Sequence, residues 1–401
     1  MNEIFEKVLK GEIKFYQLDK LVGKKEATEL RRKFLEEKLG INLENIGSYK
    51  VNPEDAIGKN IENMIGSAQL PLGVAGPLKI NGEYAKGEFY IPLATTEGAL
   101  VASTNRGSSA INLSGGCNVR ILKDGMARSP LFRTNSLEES IKFAKWVKEN
   151  FNKIKEEFEK ESVYLNLKEI RPWIMGRNVF LRVVAETGDA MGMNMVTIGC
   201  DNIAKWIEKN YDVKCISLSG NLCVDKKPSS MNVIEGRGKS VIAEVILNEK
   251  TIKEKLKTKS EDLIEVNYRK NFLGSALAGS LGFNAHYANI IAAMFIACGQ
   301  DAAQVVESSL GITSVEKHEK GIYVSVFLPS LEVGTVGGGT LRETQKEALQ
   351  ILGCFGGGNP PGTNAKKFAE IIAAAVLAGE ISLLSAHVAG HLAEAHARLG
   401  R

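Results

Sequence analysis

No CxxC pair occurs in this chain, and its six cysteines (Cys117, Cys200, Cys215, Cys223, Cys298 and Cys354) form no ladder of short spacings. That argues against a disulfide framework or a zinc knuckle and reads as reduced intracellular thiols. A charge excess of one sign is also missing. The 51 basic and 47 acidic residues leave a formal net charge of +4, no basis for a broad polyanion-binding surface, although a local basic pocket for a phosphorylated ligand stays open. The N-terminal stretch MNEIFEKVLKGEIKFYQ is charged from its third residue and lacks the apolar run of a secretory signal. A cytoplasmic location is the expectation.

Familiar ligand loops are absent as well. No GxGxxG joins a strand to a helix, so a Rossmann dinucleotide site is unsupported. "GRGKS" at 236–240 ends like a phosphate-binding loop, but Val233 stands where its first glycine should be. His387 and His391 have the spacing of a metal pair on a helix, yet there is no HExxH and no third ligand, so no metal is expected. Residues 271–300 carry no Asp, Glu, Lys or Arg, long enough to span a bilayer. Asn284, His286 and Asn289 would be costly against lipid, and the stretch reads as a buried helix pair at the centre of a large domain.

What the chain does contain is globular: 44% hydrophobic and 24% charged residues over 401 positions, enough for two or three domains. Residues 1–45 read as helical, with Leu30, Phe34, Leu35 and Leu39 on one face. From 117 to 219 the pattern is clearest. A strand "CNVRIL" precedes a long helix capped by Ser136 with Glu139 three residues on, its face formed by Leu137, Ile141, Ala144, Phe151, Ile154 and Phe158. Strands "SVYLNL" and "NVFLRVVAE" follow, then a helix from about Asp189 to Asn210, then "VKCISL". This is the β-α-β-β-α-β order of a ferredoxin-like, split βαβ unit. The expected fold is therefore α+β: an N-terminal helical region (1–45), a large mixed helix-and-strand domain (46–116 and 220–401), and a small inserted domain (117–219).

Several groups could carry chemistry, each with a plainer reading beside it. Glu97 opens a helix after Thr95 and Thr96, ordinarily an exposed, dipole-friendly position. Asp301 follows the uncharged stretch, and a carboxylate at the edge of an apolar core is either salt-bridged or part of a catalytic network. Asp189 and Asn194 in "DAMGMN" could be helix caps with methionine filler. Four of the six residues 334–339 are glycine, which exposes backbone N–H groups to an anion or a flat ring. Three of the five histidines fall in the last fifteen residues, where one could act as a mobile general acid. The lysine pair of "DKKPSS" is either solvated surface or a buried cation.

Taken together, "ENMIG", "TTEGALVASTNRG", "DAMGMN", "DKKPSSMNVIEGRGKS", "GQDAAQ", "GTVGGGT" and "GHLAEAH" resemble the 3-hydroxy-3-methylglutaryl-coenzyme A reductase family, closest to its class I form reduced to the soluble catalytic part. The motifs stand in the family's order across most of the chain. The resemblance implies reduction of a thioester to an alcohol with two NADPH per turnover. It implies Lys226 as the cation for the oxyanion, Glu97 as a proton donor held protonated by burial or a carboxylate neighbour, Asp301 as the carboxylate bridging those two, and His396 as the donor to the departing thiolate. It places Ser103, Asn105, Arg128, Ser219, Asp225, Lys227 and Lys270 on the substrate. It puts Asp189, Met191, Gly192, Met193, Asn194, Gly334, Val336, Gly337 and Gly338 on the dinucleotide, which the resemblance implies is bound at the inserted domain. Glu62, Asn63, Ile65 and Gly66 belong to a loop meeting coenzyme A and a partner subunit, so a homodimer or higher homo-oligomer is expected, with the active site between subunits. The membrane domain and the phosphorylated serine of larger relatives are expected to be missing. Two other readings remain: NAD-dependent oxidation of mevalonate, and a non-catalytic coenzyme A-binding protein. Arg177, Arg182, Lys205 and Lys209 are candidates for contact with a ribose 2′-phosphate.

Overall fold

The computed structural model describes residues 2–390, which leaves His391 and His396 outside the described residues. The strands are β1 (Leu72–Asn81), β2 (Lys86–Ala94), β3 (Cys117–Arg128), β4 (Leu131–Arg133), β5 (Asn166–Met175), β6 (Asn178–Glu186), β7 (Lys214–Ser217), β8 (Gly238–Asn248), β9 (Ile312–His318) and β10 (Gly321–Leu331). β3 serves two regions at once. Its first part runs parallel to β1, Ile80 opposite Cys117, and antiparallel to β8, Val119 opposite Ala243. Beyond β8 lie β10 and β9, all antiparallel. Its last three residues, Met126–Arg128, pair instead with Ala185–Val183 of β6.

β6 also pairs with β4 and β5, and β4 with β7, giving the antiparallel order β7-β4-β6-β5. Helices Leu137–Glu149, Phe151–Glu159 and Met193–Asn210 supply much of this region's own core, with Phe143, Val147, Ile154, Phe158, Val196, Cys200 and Ile203 buried. The strand expected to open this unit at 117 therefore belongs mainly to the larger sheet. The stretch that opens the smaller one is 126–133, broken at Ser129 and Pro130.

Three other expectations are corrected by packing. "SVYLNL" is not a strand: Val163 is 94% exposed, and β5 starts at Asn166 and runs through Pro172. Because β5 pairs only with β6, its outer side needs no N–H from that proline. The long helix after Ser136 breaks at Asn150 into two. Leu137 and Ile141 face outward, and the buried side is Ser140, Phe143, Ala144 and Val147. Ser136 does cap it, accepting from the Glu139 N–H at 3.1 Å, but the Glu139 carboxylate turns to the Asn135 N–H. Within 271–300, only helix Tyr287–Ala297 is a buried core helix. The preceding π-helical turn, Asn267–Gly274, leaves Leu273 half-exposed, and Leu277 beyond it is 92% exposed.

The centre of the larger region is helix Thr363–Val388, apolar on all sides and buried from Phe368 through Ile381. Its length and composition would suffice to cross a membrane, but 83% of its most apolar window is covered by the protein itself. Gly107 lets helix Leu100–Leu113 lie directly against it, since a Cβ there would overlap the Ala378 carbonyl. Two acidic residues on this helix are fully buried, each with its charge absorbed by fixed donors. Glu370 accepts the N–H groups of Glu83, Tyr84 and Ala85 at the β1–β2 turn. Glu380 accepts those of Ala285 and His286 together with the Thr313 hydroxyl. The N-terminal helices Asn2–Leu9, Phe15–Leu21 and Lys24–Leu39 pack on one another through Phe5, Val8, Leu18, Ala27 and Leu30. Phe34 is partly buried there and Leu39 is exposed.

Candidate active site

The loop between β7 and the short helix Ser230–Ile234 contains three non-glycine residues with left-handed backbone: Asn221 (φ 65°), Val224 (φ 48°) and Lys226 (φ 58°). For a β-branched residue such as Val224 this is an outlier, and it persists only where surrounding contacts dictate it. Those contacts are partly buried. The Asn232 amide donates to the Val224 carbonyl at 2.9 Å, Arg237 Nη1 donates to Asp225 Oδ1 at 2.9 Å, and the Lys226 N–H donates to Glu307 Oε1 at 2.8 Å.

So held, Lys226 extends its ammonium to Asp301, Nζ to Oδ2 2.8 Å. Asp301 is fixed in turn because its other oxygen accepts the Ala303 N–H at 3.0 Å. The hydrogen bond to Asp301 raises the Lys226 pKa above its ordinary value, desolvation opposing. The outcome is a preorganised donor favoured in its charged form and still 43% exposed.

Lys226 and Asp301 stand on the wall of a cavity of about 890 Å³. Its other walls come from 190–195 and from 334–340, two segments joined by the Ala190–Val336 bridge, while the Gly334 N–H donates to Gln300 on a third wall segment. Gly192 (φ 93°) turns the chain into helix Met193–Asn210, whose first N–H groups have no intrahelical acceptor. An 890 Å³ hollow with a helix N-terminus and a glycine-rich wall suits a flat ring attached to a pyrophosphate. Sequence reasoning missed the two further cations that line it, Lys59 and Arg342, and also Asn60 and Gln345. They are single residues in loops or at an element start, with no pattern around them. Arg342 has Nε and Nη1 buried without a hydrogen-bond partner among the described residues.

The other expected residues divide into those gathered here and those engaged elsewhere. Asp189 turns inward: its carboxylate accepts the N–H groups of Gly358, Gly362 and Ala365, capping helix Thr363–Val388 from a distance. Met193 packs its sulfur on Arg237, Met191 contacts Gln304, and Asn194, Gly337 and Gly338 line the cavity. Arg128 lies 3.7 Å from Asp225, and Lys227 folds back onto the Asp225 carbonyl. Ser219 meets Ser217 and Cys223. Glu97 is exposed among the described residues, which do not supply the expected burial; its carboxylate accepts from Asn289 at 3.1 Å, a partner the sequence did not suggest. Ser103 donates to Ser382, and Asn105 accepts from the Gly76 N–H. Lys270 sits in the π-helical turn; with His286 it adds to the desolvation that pushes His387 below its usual range. Glu62 and Asn63 are exposed, Asn63 with φ 50°; Ile65 gives its carbonyl to Arg32, and Gly66 follows. The candidates for a 2′-phosphate stand apart from the cavity: Arg182 is buried and donates to the Gly236 carbonyl, Lys205 pairs with Asp201, and neither Arg177 nor Lys209 is among its lining residues.

Comparison with known proteins agrees with this geometry. The model of the hydroxymethylglutaryl-coenzyme A reductase family matches residues 27–401. The chain is 58% identical to the 3-hydroxy-3-methylglutaryl-coenzyme A reductase of Pyrococcus abyssi, with both chains covered in full. It is 57% identical to that of Methanocaldococcus jannaschii, over 100% of this chain and 99% of the relative. A reductase of Cannabis sativa is 44% identical across this whole chain and 70% of its own length. Among solved structures, the fold resembles the class II reductase of Streptococcus pneumoniae bound to NADPH, with a TM-score of 0.68 at 18% identity, covering 89% of this chain and 86% of that one. This chain belongs to the hydroxymethylglutaryl-coenzyme A reductase family.

Proposed function

We infer that the protein reduces 3-hydroxy-3-methylglutaryl-coenzyme A to mevalonate and free coenzyme A with NADPH, a step of isoprenoid precursor synthesis. The observation that carries the reading is the 2.8 Å Lys226–Asp301 contact on the wall of a cavity built from the "DAMGMN" and "GTVGGGT" segments. The class I reading rests on the sequence motifs alone; the solved class II structure, at 18% identity, shares the fold.

NADPH, when bound, supplies the hydride for each of the two reductions. The turn into helix Met193–Asn210 at Gly192 and the glycines 337–339 offer backbone N–H groups to its pyrophosphate, while Lys59 and Arg342 oppose its phosphate charge. Lys226 stabilises the oxyanion formed when the thioester carbonyl is reduced, and Asp301 keeps the ammonium charged and aimed. Arg128, Asp225 and Lys227 hold the polar end of the substrate near this centre, with Ser103, Asn105, Ser219 and Lys270 completing the site. Glu97, oriented by Asn289, gives the proton that completes the alcohol. For the thiolate released between the two reductions, His396 is the proposed donor.

The smaller unit, 117–219, is proposed as the dinucleotide-binding insertion, the enzyme as a cytoplasmic homo-oligomer, and the loop Glu62–Gly66 as its coenzyme A and subunit contact. The test is stoichiometric. Two NADPH consumed per thioester, with NADH a poor substitute, are expected; a preference for NADH would move the assignment to mevalonate oxidation. No consumption by folded protein would overturn both.

A further inference from the structure

Arg237, eleven residues beyond Lys226, joins Glu307 and Glu332 in a charged cluster from which solvent is excluded. Arg237, Glu307 and Glu332 have no exposed side-chain surface. Arg237 Nη1 donates to Glu332 Oε1 at 2.6 Å, to Glu307 Oε1 at 3.2 Å and to Asp225 Oδ1 at 2.9 Å. Counting the neighbours, Arg237 and the more distant Arg128 face three carboxylates, Asp225, Glu307 and Glu332, with the buried Cys223 thiol also near. One proton is needed for balance. The second oxygens of Glu307 and Glu332 are both buried and have no hydrogen-bond partner among the described residues, and one proton shared between them would satisfy both. Burial drives both carboxyls toward the protonated form, Glu332 far more strongly.

We propose that Glu307 is a positioning residue for Lys226. Its Oε1 accepts the Lys226 N–H at 2.8 Å, and Arg237 with Glu332 fixes that oxygen in place. The contact is made to the backbone of the residue whose side chain reaches Asp301, at a φ of 58° that is uncommon for a residue with a Cβ. Glu307 is fully buried, so it touches neither substrate nor dinucleotide; it acts by keeping Lys226 where the oxyanion forms. A misplacement of the order of 1 Å costs on the order of 10²-fold in rate.

The inference rests on Lys226 being the oxyanion donor, and its test separates the two. Glu307→Gln keeps an oxygen for the Lys226 N–H and offers its amide protons to Glu332. Glu307→Ala keeps neither. The expectation is that Glu307→Gln stays within about threefold of wild-type kcat, while Glu307→Ala loses about 10- to 100-fold in kcat with little change in KM. The alkaline limb of kcat should move to lower pH in Glu307→Ala, because Lys226 then loses the Asp301 contact that raises its pKa. A role confined to stability would lower the melting temperature and leave kcat per folded molecule and its pH profile unmoved, and that result overturns the proposal. Equal losses in both variants overturn it too. Should wild type itself prove inactive, the pH at which the Lys226 amine becomes reactive toward an acylating reagent still reads its contact with Asp301. A drop in Glu307→Ala alone supports the positioning role, and no drop refutes it.

Discussion

Two carboxylate–cation contacts are made by residues eleven positions apart, Lys226 and Arg237, yet they behave as opposites. The Lys226–Asp301 pair is 43% and 34% exposed at 2.8 Å. The Arg237–Glu332 pair is wholly buried at 2.6 Å. A half-exposed pair contributes little to stability. Breaking a buried one by removing a partner strands a charge and costs far more. In the proposed mechanism two tasks that one pair could have carried are separated: the buried contact organises the loop, and the exposed contact meets the substrate. Arg suits the first because one guanidinium can bond several oxygens, and Lys the second because a compact ammonium can follow a changing oxygen.

The largest expected effect comes from breaking the exposed pair. Lys226→Ala should lower kcat by about 10³-fold or more, the scale of losing a principal oxyanion donor, while dinucleotide binding and the melting temperature stay close to wild type. Near-normal turnover would remove Lys226 from the mechanism. Breaking the buried pair should invert that pattern. Arg237→Met leaves Asp225, Glu307 and Glu332 facing one another without their shared cation, and about 3–5 kcal/mol of stability should be lost. Urea unfolding is the measurement, and a midpoint unchanged from wild type would show the cluster to be neutralised some other way.

That asymmetry also explains what could be read in advance. Lys226 and Asp301 stand in short motifs: "DKKPSS" and "GQDAAQ" by themselves left both a structural and a chemical reading open, and the resemblance to the family assigned the two residues. Arg237 was in view only as part of a failed phosphate loop, and Glu307 and Glu332 not at all. A buried carboxylate in "VVESS" or "SLEVG" looks like any surface Glu until the chain brings an arginine to it. Asp189 erred the other way: its motif was plain, but its carboxylate serves a helix start more than 170 residues on. The strands failed for a local reason. "SVYLNL" alternates as well as "NVFLRVVAE" does, and only the register of β6, which pairs Asn178–Glu186 with Asn166–Met175, decides between 162–167 and 166–175.

A change of pH sharpens the same comparison. Burial holds Glu332 well above the ordinary carboxyl value of about 4.5, and Glu307 is raised as well. In the window above 4.5 the unfolded chain releases protons that the native chain retains, so the native state binds more. Stability is then fully present below 4.5 and falls as pH rises toward the native pKa, by up to about 1.4 kcal/mol per pH unit for each proton retained. Glu332→Gln cannot titrate and should flatten the slope of unfolding free energy between pH 5.5 and 8. A slope that survives intact would place the retained proton elsewhere.

The smallest effects test where the dinucleotide's charge is met. Arg342 lines the cavity with two buried, unpartnered nitrogens, whereas Lys205 is 73% exposed and already paired with Asp201 at 2.6 Å. A charge-assisted hydrogen bond to a phosphate is worth about 1.5–3 kcal/mol, so Arg342→Ala should weaken NADPH binding by about tenfold or more. Lys205→Ala should change NADPH affinity and stability by less than about 0.5 kcal/mol. Binding followed by NADPH fluorescence at low and high salt distinguishes the two, because an exposed cation loses its influence within the Debye length and a buried one largely keeps it. If instead Lys205→Ala proves the more damaging, the phosphates lie along helix Met193–Asn210 and not across the cavity from it, and the assignment of Lys59 and Arg342 falls with that result.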